Sequence, residues 1–200
     1  MEKDYLLKHI AETGYNVGYT AKLHFASYEM IEKAPGLISI ISMAFGIYAL
    51  AYDGLSTKFI SSTLLVLGII GLYVSIRNGD KGDYQTKGIE LTNIFNKLKH
   101  LINDVKHETG DLTPLSAQLK DIETEYNNNC APQHIMFATW FAHYKFFWEQ
   151  QTGWIEEYRK LGFFRDKIPL TFWVSLVSVL IYFVFNFTEM LNFFCRASNS

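Results

Sequence analysis

The chain has 200 residues, 49% of them apolar and 16% aromatic, with a formal net charge of −2. Its charges are balanced along the length: residues 1–35 hold four Lys/Arg against five acids, and residues 78–167 hold eleven against thirteen. No stretch has the basic excess that phosphate backbones select, which argues against direct nucleic-acid binding.

Residues 1–35 are charged throughout and lack the compact apolar core and small-residue cleavage site of a signal peptide. Within them Leu7, Ile10, Gly14, Val17, Ala21, His24, Tyr28 and Ile31 recur at spacings of three and four, the seam of an amphipathic helix. Gly14 and Gly18, four apart, give up helix propensity, which predicts a packing role in a bundle or oligomer seam. A break is expected near Pro35, where the helix meets the next segment.

Two uncharged apolar runs follow, Gly36–Tyr52 and Phe59–Ile76, separated by Asp53-Gly-Leu-Ser-Thr-Lys58. At about 1.5 Å per residue each spans roughly 25–27 Å as a helix, close to the ~30 Å hydrocarbon thickness of a bilayer. So short a connector predicts an antiparallel transmembrane hairpin over 36–76. Ser39, Ser42, Gly46, Ala49 and Asp53 form a small and polar line on the first helix, and Ser61, Gly68, Gly71 and Ser75 a shorter one on the second. Such residues serve close helix packing or, in an assembly, the lining of a path.

Residues 77–167 read as a helical body. Asn78-Gly-Asp-Lys-Gly-Asp83 is turn chemistry, and a seam of Leu91, Ile94/Phe95, Leu98, Leu101/Ile102 and Val105 follows. Thr109-Gly-Asp-Leu-Thr-Pro114 ends that helix. Leu115, Leu119, Ile122 and Tyr126 mark the next one, closed by Asn127-Asn-Asn129. A fourth helical segment is expected from Pro132 to about Leu161, with seven aromatics between Phe137 and Trp148. These fit the centre of a bundle or an oligomer interface, and alternatively a membrane interface.

A third apolar run gives a third transmembrane helix over 168–190, with a tail over 191–200. Thr171, Ser175, Ser178, Tyr182, Asn186 and Glu189 share one side of it. The fold class is therefore all-α: a transmembrane hairpin, a third C-terminal transmembrane helix, and a bundle or coiled-coil-like body. Lys22 and Lys33, then Arg77, Lys81 and Lys87, then Arg159, Lys160, Arg165 and Lys167 flank the membrane segments on one side, whereas the hairpin tip has only Lys58. That distribution places the N-terminus and body in the cytoplasm.

Phosphate-binding glycine loops, dinucleotide fingerprints, His-Glu-x-x-His and paired-Cys zinc motifs are absent from the sequence, and the six histidines are dispersed. No catalytic residue, metal site or cofactor is expected, and the chain is read as a non-enzyme. Cys130 and Cys195 form no disulfide framework. Since each membrane helix lends only one narrow face, a water-filled path requires several protomers.

The layout resembles the SLATT domain family, the two-transmembrane effectors found beside second-messenger nucleotide synthases, SLOG proteins and reverse transcriptases in bacterial defence. The resemblance rests on the N-terminal helix with Tyr15-Asn-Val-Gly-Tyr-Thr-Ala-Lys-Leu-His-Phe25, on the tight hairpin and helical body, and on Arg165-Asp-Lys-Ile-Pro169. It implies one SLATT-like domain in the bacterial inner membrane that contacts lipid and forms homo-oligomers. A nucleotide synthase, SLOG protein or reverse transcriptase would trigger it to open a pore or disrupt the membrane, giving growth arrest or cell death. The alternative is a non-conducting membrane scaffold that holds a partner at the bilayer.

Overall fold

The longest element is the first. Helix α1 (Lys3–Ala51) carries both the amphipathic N-terminal seam and the first apolar run, and it passes through Pro35 without ending. The computed structural model describes residues 2–51, 57–129, 134–150, 152–162 and 166–197, with side chains except at 57, 59, 182–183 and 186–197. All regular structure among these residues is helical, and they fall into two units, 1–160 and 161–200.

The expected break at Pro35 is therefore corrected. An internal proline costs about 3 kcal/mol or more by removing one hydrogen bond and crowding the carbonyl four residues earlier. Helix α1 is fastened on both sides of it, to the body below and to α2 above, and that packing outweighs the local cost.

Helix α2 (Thr57–Ile76) returns along the membrane half of α1. Ile38 and Gly71 lie nearly the same number of residues from the connector, and a Cβ on Gly71 would sit 3.7 Å from Ile38 Cδ1, so the pair is antiparallel and in van der Waals contact. The connector at 52–56 lies outside the described residues.

The expected turn after Arg77 is a second correction. A single 3-10 turn, Arg77–Asp80, leads straight into α3 (Lys81–His107), and no described glycine has a positive φ. Gly79 and Gly82 thus leave their conformational freedom unused. Arg77 pairs with Asp80 at 3.4 Å and Lys81 with Glu32 of α1, which ties the junction to the neighbouring helix.

Helix α3 packs along the N-terminal half of α1. Leu91, Ile94, Leu98, Ile102 and Val105 are fully buried against Leu6, Ile10 and Val17. Its C-terminus is closed by Lys3, whose Nζ donates to the carbonyls of Lys106 and Glu108 at 2.8 Å each, a cation placed where the helix dipole is negative. Asp111 Oδ1 accepts from Thr113 N and Oγ1 at the start of α4 (Thr113–Asn129). Helix α4 adds Leu119 and Ile122 to the core.

The segment expected as one helix from Pro132 to Leu161 is broken. Helix α5 (Ala138–Tyr144) passes into a π turn, Lys145–Glu149; Gln150 is extended, and α6 is only Gly153–Glu156. The physical reason is the width of the aromatic payload. Phe146 is fully buried, and Tyr15 and Tyr19 meet its ring edge-on at 5.4 and 5.9 Å. A π turn inserts a residue into the helical register, which lets the large rings of α5 and the indole of Trp154 all meet α1.

The second unit contains α7 (Leu170–Ala197), a 28-residue helix that continues through positions 191–197, where a tail is expected from the sequence. Its segment Leu170–Ile181 is apolar.

Candidate functional site

Two features of the first unit bear on function: the apolar hairpin, and the polar collar where it joins the body. The hairpin surface is bare. Leu37, Ile40, Met43, Ile47 and Leu50 of α1 and Leu65, Val66, Ile69 and Leu72 of α2 are all exposed, Leu50 to 89%. Exposed hydrocarbon in such a continuous band marks a membrane or protein contact rather than a surface in water. Both helices are long and apolar enough to cross a bilayer.

The small and polar positions divide by facing. Gly71 faces α1, and Ser42 is half-buried. Ser39, Gly46, Ser61, Gly68 and Ser75 are exposed, and a Cβ on Gly46 or Gly68 would meet nothing within 4 Å. Ser39 Oγ donates back to the carbonyl of Pro35 at 2.9 Å, satisfying its hydroxyl within its own helix. On α7, Thr171, Ser175 and Ser178 are exposed, and Ser178 Oγ donates to Val174 O at 2.8 Å. The side chains of Tyr182, Asn186 and Glu189 lie outside the described residues.

The collar is a cluster of ion pairs built on two carboxylates of α1. Glu29 accepts from Lys33 at 2.9 Å and from Lys145 of the π turn, while Glu32 pairs with Lys81. Burial pushes the Glu29 carboxyl up, but its bonds to Lys145 and Lys33 outweigh this and hold it below the usual carboxylate range. Lys81 also lies 5.5 Å from the centre of the Tyr28 ring.

Beneath the collar two histidines meet. His24 is fully buried, and its ring lies edge-on to that of His134 at 4.7 Å, with Tyr84 at 6.1 Å. His24 Nδ1 carries the proton, since it donates to the carbonyl of Thr20 at 2.9 Å. Its Nε2 is buried with no hydrogen-bond partner among the described residues. Ser27 Oγ donates to Leu23 O and is 3.5 Å from His134 Nδ1, a long contact. Burial lowers the pKa of both histidines: His134 falls to about 4, with the neighbouring His24 as a lesser cause. The sequence gives no sign of this pair, because the partners are 110 positions apart and the chain between them is needed to close the contact.

The expected seam residues lie inside the body. Leu91, Leu98 and Val105 are fully buried, and Gly14 and Gly18 are buried in α1. A Cβ on Gly18 would come within 2.7 Å of Phe95 and 2.9 Å of Phe146, so this glycine pair admits aromatic rings of the same chain. Nearby, Tyr19 is held protonated, its pKa raised to about 12 by burial and then by Tyr15, and its hydroxyl shares a hydrogen bond with His143 Nδ1 at 3.0 Å. Among the described residues no group of three His, Cys, Asp or Glu is placed to hold a metal ion.

A pair of bare apolar helices rising from a charged collar on a packed helical body defines a membrane protein. The chain belongs to the family described as SMODS and SLOG-associating 2TM effector domain 6, whose profile matches residues 1–176. It is thus a SLATT protein, a membrane effector of defence systems whose family description names synthases of the SMODS type and SLOG proteins as associates. The match ends inside α7, so most of that helix lies beyond it. No curated protein and no solved structure matches the chain.

Proposed function

We propose that the protein is a non-enzymatic, pore-forming effector of an antiphage system. When a partner nucleotide synthase, SLOG protein or reverse transcriptase signals infection, protomers assemble through their membrane helices and collapse ion gradients. Growth arrest or cell death of the infected cell follows.

The observation that carries this reading is the facing of the small residues. Gly46 and Gly68 lower helix propensity by about 1 kcal/mol each relative to Ala, yet neither is needed for contact between α1 and α2. Small residues on the outer surface of a membrane hairpin suit close approach by another protomer. In this reading α7 is a third spanning helix that lends the line of Ser175 and Ser178 to the assembly. The hairpin is multi-pass in the inner membrane, with the N-terminus and body cytoplasmic. The Lys and Arg residues of the collar support that orientation.

The test is membrane potential, read by dye fluorescence in bacteria expressing the full chain with and without its neighbouring genes. A variant with Leu at Ser175, Ser178 and Asn186 is compared at equal membrane abundance. Depolarisation under triggering conditions that the variant loses supports a pore. Unchanged potential, with the protein present in the membrane, overturns the pore and leaves a scaffold that holds its partner at the bilayer.

A further inference from the structure

The short segment before α5 sits beside the membrane helix rather than below it. Ile135, Met136 and Phe137 line one cavity of about 260 Å³ together with Met30 of α1 and Ile69, Ile70, Tyr73 and Val74 of α2. Tyr73 and Ile70 precede Arg77 by four and seven residues, which puts them about 6 and 10 Å up the apolar run from the charged collar. A connecting segment that reaches this far along a membrane helix enters the depth of the lipid leaflet.

Its chemistry suits that depth. Met136 and Phe137 are 60% and 64% exposed, while Ile135 beneath them is buried. The usual obstacle to placing irregular backbone in lipid is the cost of unpaired peptide groups. Here the phenol of Tyr73 accepts from Met136 N–H at 3.1 Å. Ile135 O accepts from Ala138 N, and Phe137 O accepts from Trp140 N, each at 3.0 Å. Phe137 is the one described non-glycine residue with a positive φ, 67°, an unfavourable conformation for so bulky a side chain. That strain is retained at the N-cap of α5, where the segment leaves its contact with α2. Beyond it α5 and the π turn run along α1, with His143 against Tyr19 and Phe146 against Gly18.

We infer that Ile135–Phe137 is a membrane-inserted wedge, in which acyl chains of the leaflet next to the body cover Met136 and Phe137 and fill the cavity behind them. The inference rests on the reading that the hairpin spans the bilayer. The wedge fixes the height at which the body meets the membrane, and it makes lipid part of the packing around the base of α2.

Single spin labels on the full chain test it, with Cys130 and Cys195 replaced by Ser and the protein in vesicles of phosphatidylethanolamine and phosphatidylglycerol. Labels go on Met136→Cys and, separately, Phe137→Cys, so that one variant suffices if the other misfolds. Ile47→Cys on α1 and Asn103→Cys on α3 serve as references. Collision with oxygen, which concentrates in lipid, is compared with collision with a water-soluble nickel chelate. The wedge predicts an oxygen-to-nickel ratio at 136 and 137 close to that at 47 and about tenfold above that at 103, because an ionic chelate is excluded from hydrocarbon. A nickel-dominated signal at 136 and 137 with an oxygen-dominated one at 47 overturns the wedge and leaves the spanning hairpin standing. Nickel-dominated signals at 47 as well overturn both. Low access to either reagent at 136 and 137 means protein, such as a second copy, covers the segment, and also overturns it.

Discussion

Trp154 occupies the space that a side chain on Gly14 would need: a Cβ built there would lie 2.3 Å from the indole Cη2. The two residues are 140 positions apart, and their contact fastens α6 to the first helix. Gly14→Ala gains about 1 kcal/mol of helix propensity but forces the indole out, and overpacking of this kind costs about 1–3 kcal/mol. The expected result is net destabilisation, with loss of the Trp154 environment. Gly79→Ala is the matched comparison, exposed and open on its Cβ side; it should be neutral or stabilising. Thermal unfolding of the detergent-solubilised chain, followed by circular dichroism and tryptophan emission, separates them.

The paired histidines set a pH dependence. In the unfolded chain both titrate near 6.5, whereas in the folded chain both are held lower, His134 at about 4. Between those values the unfolded chain binds more protons. The stability contributed by the neutral histidines is therefore complete above pH 6.5 and declines as pH falls toward 4. For His134 the loss amounts to roughly 2–3 kcal/mol across the window. Unfolding midpoints at pH 7.5, 5.5 and 4.5 should fall in that order, and His134→Phe should flatten the trend. A midpoint independent of pH in the unsubstituted chain would contradict the assignment.

Glu29 joins two lysines from different elements, and the Lys145 side chain is only 14% exposed. Removing the carboxylate charge leaves Lys145 with a 3.8 Å approach to Glu149. Glu29→Gln should destabilise by about 1–2 kcal/mol, a charged hydrogen bond being worth more than a neutral one. Lys145→Met should recover part of that loss in the Glu29→Gln background. Additive effects in this double-mutant cycle would show that the two groups do not interact.

Bulky residues at open glycines test assembly apart from folding. Gly46→Leu and Gly68→Leu meet nothing in the single chain, so solubilised protein should retain its helix content and melting behaviour. If the hairpins meet through these positions, crosslinked oligomers in membranes should drop severalfold. An unchanged crosslinking ladder would move the assembly contact elsewhere.

What the sequence revealed and concealed follows the range of the interactions. The α1, α3 and α4 seams were legible because burial repeats at helical spacing; Leu91, Leu98 and Val105 declare their face within a few turns. The two apolar helices were legible from length alone. Pro35 misled because its cost is local, while the packing that overrides it comes from α2, α3 and α5. The glycines at 79 and 82 suggested a turn, yet the Glu32 to Lys81 pair that holds the junction spans separate helices. The break at Lys145–Glu149 was hidden for the same reason: its cause is the space opposite Gly18, which only the folded chain defines. Family resemblance, by contrast, was carried by the order of segments and extends over residues 1–176.

The unbroken course of α1 has a mechanical consequence. Its 49 residues make a rod about 74 Å long at the usual helical rise. Roughly two thirds of that rod is clamped in the body, and the rest forms one arm of the hairpin. No break at Pro35 separates the clamped part from the arm, and the ion pairs of Glu29 and Glu32 lie just below their junction. A tilt of about 5° at the clamped end displaces the outer arm by about 2 Å over its roughly 25 Å length. Torque on the body would thus reach the membrane half of α1 through the helix backbone itself, without a relay of side chains.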